Sequence, residues 1–378
     1  MKMGNDVMNI LFVSDLSGNL SVGPSYSVPA QIKAQAKVDN VFWLNITDNF
    51  RDEWKEIGVP YLYGSKYKEI RLTEIMDKYI CPDIVIMEGC YNYLFFKLIK
   101  DIKKNNIPYI LVPRSQLTFG AHNNKALKKR IGNMIYFNRF IKGAAAVQYL
   151  TDQEAEDSSA WGVKGVIIPN GITQRTLKPK SKFRKSKINI VYIGRIDIYQ
   201  KGLDLLIEAC AKIKEFLIEK QVEISLYGKP TEGDLEKIQD KIQEYHLENQ
   251  LIVCAAVFGE DKYSVLENTD IFIMTSRFEG LPMGLIEALS FGCPSIVTPG
   301  TNLAKEVMES NAGWVSESDA DSIANTIQVA VEEVFSCGSK KSEGAYNLAK
   351  NYMWDDIAVM THNICETIVK ANGDMKRG

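Results

Sequence analysis

The sequence predicts an α/β protein of two tandem, doubly wound Rossmann-like domains that face each other across a cleft. Three observations carry this expectation. The chain has 378 residues, too many for one ordinary core and about right for two domains. Short β-branched runs alternate with longer helical patterns, as in parallel sheets covered by helices. The alternation stops once, between residues 173 and 187, where six Lys/Arg stand from Lys178 to Lys187 without an acid.

The first array spans 1–172. It opens with "NILFVSD", a buried strand, followed by the Gly/Ser-rich loop "LSGNLSVGPSYSV" and a helix near Pro29 to Val38. The runs "NVFWLNI", "DIVIMEG", "YILVPRS", "AAAVQYLT" and "GVIIPNG" are the next candidate strands, most with a helical segment behind them. Residues 173–187 read as an exposed linker. The second array, 188–354, offers "INIVYIG", "EISLYG", "QLIVCAAV", "DIFIMTS", "PSIVTP" and "GWVS" as strands. Helices are expected from Gly202 to Glu215, Glu232 to His246, Pro282 to Ser290 and Asp319 to Val334. The stretch "NLAKNYMWDDIAVMTHNICETIVK" reads as one long amphipathic helix, whose part from about 355 to 378 is expected to pack back on the first domain. No internal repeat is visible beyond the shared architecture. Ligands of doubly wound sheets sit at the carboxyl ends of the strands, so two facing sheets make a binding cleft.

Composition narrows the function. With 46% hydrophobic residues, 24% charged residues and a net charge of −2, the chain reads as an ordinary soluble globular protein with no charge excess for nucleic acid. Its seven cysteines show no C-x-x-C spacing, which argues against a zinc site or a disulfide framework and for reduced thiols in the cytoplasm. The apolar run "VMNILFV" is short for a leader and is closed by Asp15, so secretion is not expected. No stretch reaches the roughly 18 to 20 apolar residues that cross a bilayer.

The chemistry concentrates in "SRFEGLPMGLIEALSFGCPSIVTP", which begins where the strand "DIFIMTS" ends. Pro282 suits a first helical position. A helix N-terminus offers unpaired N–H groups and partial positive charge, and Gly280 and Gly284 let a ligand approach the backbone, so the stretch reads as a phosphate site. Glu279 lies before the helix and Glu287 inside it; carboxylates accept hydrogen bonds from sugar hydroxyls, not from phosphate oxygens. The competing reading makes Glu279 a solvated loop acid and Glu287 part of a helix surface. Against it, Glu287 stands between Ile286 and Ala288 in a mostly apolar helix, where a carboxylate needs a partner. A second cluster, "IGRIDIYQKGLDLLIEA", sets Arg195 and Lys201 at another strand end, suited to a diphosphate. Surface cations beside Asp197 and Asp204 are the alternative.

Together these residues resemble glycosyltransferase family 4, the retaining, nucleotide-sugar-dependent transferases of GT-B fold. The paired glutamates match Glu279 and Glu287, and the family's "GR...KG" matches Gly194, Arg195, Lys201 and Gly202. The likeness extends through "IPNGI", "LYGK", "NAGWVS" and "MW", and more loosely to "SVGPSYSVP", "PDIVIMEG" and "PYILVPRSQL". The resemblance implies a hexosyltransferase that needs no metal or other cofactor. Its donor is a nucleotide-diphosphate sugar, with a UDP-sugar favoured and a GDP-sugar as the other choice. Glu279 would contact the donor sugar and Glu287 the ribose hydroxyls. Arg195 and Lys201 would hold the diphosphate with backbone amides near Met283 and Gly284, and the Gly18 to Ser25 loop, Gly23 included, would close on it. Gly228 lies at the expected nucleobase pocket, Tyr227 to Lys229 with Val257 to Gly259.

The chain departs from the family where histidines are common in first-domain loops: "IMEG" carries Glu88 and "VPRS" carries Arg114. Either residue can serve the acceptor or the sugar, or the two can form structural salt bridges; His122 is a further candidate. The stretch "NNKALKKRIGNMIYFNRFIKG" carries six cations and no acid among apolar residues. It reads either as an amphipathic helix lying on anionic lipid or as a helix packed in the first domain with a solvated basic face. The lipid reading makes the acceptor a lipid-linked saccharide, as in bacterial surface-polysaccharide assembly at the inner face of the plasma membrane. Nucleic acid is not an expected partner. A GT-B epimerase or phosphorylase, and a non-catalytic nucleotide-sugar-binding partner, are the alternative functions.

Overall fold

A computed structural model describes residues 7–18, 23–48, 51–90, 96–114, 116–117, 137–173, 178–181, 183 and 187–374. The chain divides into two compact units, Met1–Gly171 with Trp354–Gly378, and Ile172–Met353. Each is built on a parallel sheet.

The sheet of the first unit contains β1 (Asn9–Ser14), β2 (Asn40–Asn45), β3 (Tyr61–Tyr63), β4 (Ile84–Glu88), β5 (Tyr109–Val112), β6 (Ala146–Tyr149) and β7 (Gly165–Ile167) in the order β3-β2-β1-β4-β5-β6-β7. Its strands alternate between two apolar layers, as a sheet covered on both faces requires. Leu11 and Val13 enter one core with Val85, Met87 and Leu111, while Ile10 and Phe12 enter the other with Ile84, Ile86 and Ile110. The sequence did not point to β3. It has only three residues, and it is held by Tyr61, whose ring lies 4.4 Å from that of Trp43 on β2.

The second unit arranges β8 (Ile188–Ile193), β9 (Val222–Tyr227), β10 (Leu251–Cys254), β11 (Ile271–Met274), β12 (Ser295–Val297) and β13 (Gly313–Val315) as β10-β9-β8-β11-β12-β13. One continuous core runs through it. The strand order reverses direction between β8 and β11, whose register pairs Ile190 with Ile271. At such a switch point the loops leaving the two strands diverge and open a crevice at their carboxyl ends.

Four of the expected helices change by more than two residues at an end or divide in two. The first helix runs Pro24–Gln35, not from Pro29: the amides of Tyr26 and Ser27 already bond to the Gly23 carbonyl, and Pro29 is carried inside. The one beginning near Gly202 stops at Lys212 and a second, Lys214–Glu219, follows it. The third, Ala320–Lys350, continues far past Val334. Gly338 lies inside it, and a Cβ there would stand 2.8 Å from the Phe183 ring, so the glycine marks close packing within the helix. The last amphipathic stretch is two helices. Met353 forms a parallel bridge with Ile172, and the Ile172 amide donates to the Tyr352 carbonyl at 2.7 Å. Those backbone groups are lost to a helix, so a new one, Trp354–Asp374, begins after them.

That final helix belongs to the first unit, where it lies along Pro24–Gln35. Gln35 Nε2 donates to the Ala358 carbonyl at 3.1 Å, and buried His362 Nδ1 meets Asp39 Oδ1 at 2.8 Å. Cys365 and Ile368 complete the apolar layer that holds Val28 and Ile32.

Candidate active site

In the second unit, Gly194 and Arg195 leave β8 and residues 275–282 leave β11, so both clusters singled out in the sequence emerge at the switch point. The loop after β8 is docked directly on the end of β11. Gly202 has φ +62°, and a Cβ there would lie 2.0 Å from the Thr275 carbonyl. Thr275 Oγ1 lies 3.2 Å from the Lys201 carbonyl and 3.1 Å from that of Gly202. A side chain at 202 would force the loops apart.

This docking brings Lys201 to Glu279. The ammonium lies 2.6 and 2.7 Å from the two carboxylate oxygens, and the side chains are 12% and 8% exposed. Ser276 Oγ donates to Glu279 Oε1 at 2.6 Å, and Asn302 Nδ2 donates to the Glu279 carbonyl at 2.6 Å. Glu279 is therefore fixed at both backbone and side chain, and is not a solvated loop acid. Below it lies the Tyr192 phenol, raised far above its ordinary range by burial first and by the Glu279 carboxylate second. It stays neutral and donates to the Arg195 carbonyl at 2.8 Å.

Arg195 is the exposed cation of the set. Its side chain is 55% accessible, bonded to Gln200 Oε1 and 3.6 Å from Asp197. Asp204 faces elsewhere: it takes a two-pronged bond from Arg277, at 2.6 and 2.7 Å. That hydrogen bonding raises the Arg277 pKa. The guanidinium also lies 4.6 Å over the Tyr199 ring. Arg277 thus clamps the 197–204 loop against the strand end that carries Glu279, a part that sequence reasoning missed. Its only signal was a cation two residues before the glutamate.

The helix after β11 runs Met283–Ser290. Pro282 caps it with ψ 80°, so the helix opens one residue later than expected. A Cβ on Gly284 would meet the Ile193 carbonyl at 2.5 Å, so the glycine seats the helix on β8 and does not leave room for a ligand there. The Met283 amide donates to the Leu281 carbonyl at 3.0 Å. Gly280 carries its carbonyl 3.3 Å from Asn302 Nδ2. Gly228, at the end of β9, is where a Cβ would fall 1.8 Å from the Gly194 carbonyl. These glycines knit three strand ends into one surface.

Glu287 does have the partner its apolar helix demands. Lys262, on the helix Gly259–Glu267, sets its ammonium 2.8 Å from each carboxylate oxygen. Sequence reasoning missed Lys262. The partners lie 25 residues apart on different helices, and only the need for a counter-charge beside Glu287 pointed to it.

In the first unit, Arg114 and Glu88 meet each other. Arg114 Nε lies 2.9 Å from Glu88 Oε2, and both side chains are buried. The guanidinium also bonds to Asn170 Oδ1 at 2.5 Å and Gln31 Oε1 at 3.3 Å, from a residue at φ +51°. Burial raises the Glu88 pKa and Arg114 opposes that shift. Glu88 Oε1 and Gln31 Nε2 have no hydrogen-bond partner among the described residues. Gly23 stands immediately before the Pro24–Gln35 helix, with open space where a Cβ would be. His122 and most of the basic stretch lie outside the described residues. No group of three or more His, Cys, Asp or Glu able to hold a metal gathers among the described residues.

The family model "Glycosyl transferases group 1" matches residues 173–343, somewhat under half of the chain and nearly all of the second unit. One component of the human phosphatidylinositol N-acetylglucosaminyltransferase is 26% identical over 205 residues, covering 53% of this chain and 41% of that protein. A putative colanic acid biosynthesis glycosyltransferase of Escherichia coli (strain K12) is 27% identical over 165 residues, 42% of this chain and 39% of that one. The match thus spans about two fifths of each of these two curated relatives. Among solved structures, Anabaena HepE in complex with UDP-glucose superposes with a TM-score of 0.70 at 15% identity, covering 95% of this chain and all of that one (100%). Likeness of that extent, with the two parallel sheets, makes this the GT-B fold.

Proposed function

We propose that this chain, with its GT-B fold and a second unit matching glycosyl transferases group 1, is a retaining glycosyltransferase. It moves a hexose from a nucleotide-diphosphate sugar, a UDP-sugar before a GDP-sugar, to a hydroxyl of a glycan or lipid-linked saccharide. The observation that carries the reading is the pair of carboxylates, Glu279 and Glu287, each facing an ammonium at the switch point of one sheet. UDP-glucose in the Anabaena neighbour supports the donor class.

In this reading Glu287 takes the ribose hydroxyls and Glu279 those of the sugar, with Arg195 and Lys201 on the diphosphate between them. As the sugar–phosphate bond breaks, negative charge grows on the leaving oxygen. Cations fixed beside it stabilise that charge more than they stabilise the bound donor, which is what lowers a barrier. The departing phosphate takes the proton of the acceptor hydroxyl on the face that the new bond forms, so configuration is retained. Arg195 and Lys201 are the cations set against the diphosphate charge in this reading, which has the transfer proceed without an essential metal. Glu88 and Arg114 are the first-unit candidates for the acceptor or sugar.

We place the enzyme on the inner face of a bacterial plasma membrane, in surface-polysaccharide assembly. The support is an exposed basic surface on the first unit: Lys97, Lys100, Lys103 and Lys104 on the helix Phe96–Lys104, with Arg139 and Lys142 on Asn138–Lys142. The acid of the first helix, Asp101, is buried and bonded to Arg71. Lys103 has its pKa lowered first by partial burial and, to a lesser degree, by the neighbouring Arg139 charge. The E. coli relative named for colanic acid points the same way.

Thermal shift with UDP, GDP and ADP tests the donor site. One nucleotide should stabilise the wild type and lose that effect in Glu287→Ala. Stabilisation by none, well above a micromolar dissociation constant, would remove the transferase reading. Slow release of nucleoside diphosphate from the donor without acceptor distinguishes an enzyme from a non-catalytic binder.

A further inference from the structure

Lys262 stands equidistant from the two oxygens of Glu287, at 2.8 Å from each. An ammonium so placed lies on the bisector of the carboxylate, on the side where the inner lone pairs converge. The two outer lone pairs diverge. A vicinal diol presents two neighbouring O–H donors, so it can bridge both oxygens only from the inner side. That side is already taken.

The same arrangement recurs between Lys201 and Glu279. The two pairs differ in how their lysines are rooted. Lys201 lies in the loop whose backbone is docked on the end of β11, with its carbonyl held by Thr275. Lys262 reaches Glu287 from the first turn of a separate helix, Gly259–Glu267, and its ammonium makes this contact in a setting where the lysine side chain is 18% and the glutamate 29% exposed. Four methylenes give that ammonium room to swing toward water at little cost, because an ion pair this close to solvent is worth on the order of one hydrogen bond.

We propose that Lys262 is a resident counter-ion of Glu287 which the ribose diol displaces, so that it sets how strongly the site holds a nucleotide. The inference rests on the reading that Glu287 receives the ribose. In the unliganded protein Lys262 keeps a carboxylate in an apolar helix from standing uncompensated. On binding, two hydroxyls replace the two N–H bonds one for one and the ammonium moves aside. A ligand without both hydroxyls must leave the ion pair in place or break it without replacing both bonds. Lys262 is therefore a specificity-determining residue for the ribose.

Isothermal titration of UDP, GDP and ADP identifies the nucleotide that binds; its 2′,3′-dideoxy counterpart is then titrated beside it. The quantity read is the ratio of the two dissociation constants, dideoxy over ribo, in the wild type, Lys262→Met and Glu287→Ala. General charge effects on the diphosphate act on both ligands and cancel, and binding of the dideoxy ligand reports that each variant is folded. Lys262→Met should raise the ratio, on the order of fivefold, because the diol then meets a vacant carboxylate. Glu287→Ala should bring it toward one. A ratio unchanged or lowered in Lys262→Met overturns displacement, a lowered one meaning that the lysine positions Glu287 for the ligand. A wild-type ratio near one that Glu287→Ala does not alter removes Glu287 from the ribose and this inference with it. Failure of all three nucleotides to bind the wild type sinks the donor reading as a whole.

Discussion

Replacing Lys201 by methionine keeps an aliphatic stem of similar length and removes the ammonium that Glu279 holds with both oxygens. The pair is 12% and 8% exposed, so water cannot take the place of the lost charge. Among the described residues, only Ser276 Oγ would remain on the carboxylate. Breaking a buried pair by deleting one partner costs about 3–5 kcal/mol; partial exposure puts this site near the lower end, about 3 kcal/mol. For a unit of this size each kcal/mol lowers the melting midpoint by roughly 2–4 °C, so the variant should melt about 6–12 °C below the wild type. Lys201→Met combined with Glu279→Gln removes the orphaned charge and should recover most of that loss. It should not recover turnover if Lys201 serves the diphosphate as proposed; release of nucleoside diphosphate should then fall on the order of 10²–10³-fold in both variants. The assays are differential scanning fluorimetry and donor hydrolysis on the same preparations. A single variant melting within about 1 °C of the wild type, or a double variant no more stable than the single, would refute the claim that Glu279 is an acid held by its lysine.

Two further outcomes follow from the first unit. Burial holds the Glu88 carboxyl above its ordinary range against the pull of Arg114. The folded protein then binds this proton more tightly than the unfolded chain, so the contribution of Glu88 to stability is fully present below the ordinary carboxylate range and is lost as pH rises through the raised value. Glu88→Gln should therefore gain in melting midpoint relative to the wild type as pH rises above the ordinary carboxylate range, and parallel profiles would contradict this. On the basic surface, Lys100→Glu with Lys104→Glu should weaken co-sedimentation with phosphatidylglycerol vesicles by more than about tenfold. Equal binding by the variant, or wild-type binding indifferent to salt, would dismiss the membrane placement.

Much of the architecture was legible because doubly wound sheets write themselves as runs. Each candidate strand of the second array is present, from "INIVYIG" to "GWVS". Legibility failed where a local rule met a distant partner. The helix expected to end at Val334 runs on to Lys350, with Gly338 packed closely against the distant Phe183. Residues 351–353 look helical until Ile172 claims their backbone. Tyr61–Tyr63 is too short to show a period and exists as a strand through aromatic contacts with β2. The site divides the same way. Arg195, Lys201, Glu279 and Glu287 were placed at strand ends and in a helix by local pattern, and they stand there. Lys262, Arg277 and the meeting of Glu88 with Arg114 depend on which elements the fold makes neighbours. For the last two, sequence had left a functional contact and a structural salt bridge equally open; the pair forms, with one carboxylate oxygen still lacking a partner among the described residues.

The crossing of the chain at Met353 and Trp354 gives the two units different histories during synthesis. Residues 172–353 are contiguous, so every strand and helix of the second sheet is available as soon as that segment has left the ribosome. The first unit is made of both an early and a late segment, and translation proceeds at about 5–20 residues per second. Its sheet is synthesised first, yet Val28 and Ile32 lack the cover of Cys365 and Ile368, and buried Asp39 lacks His362, until the Trp354–Asp374 helix arrives. The unit begun first is thus the one completed last, and for the seconds in between its uncovered layer is apolar surface open to a chaperone or to aggregation.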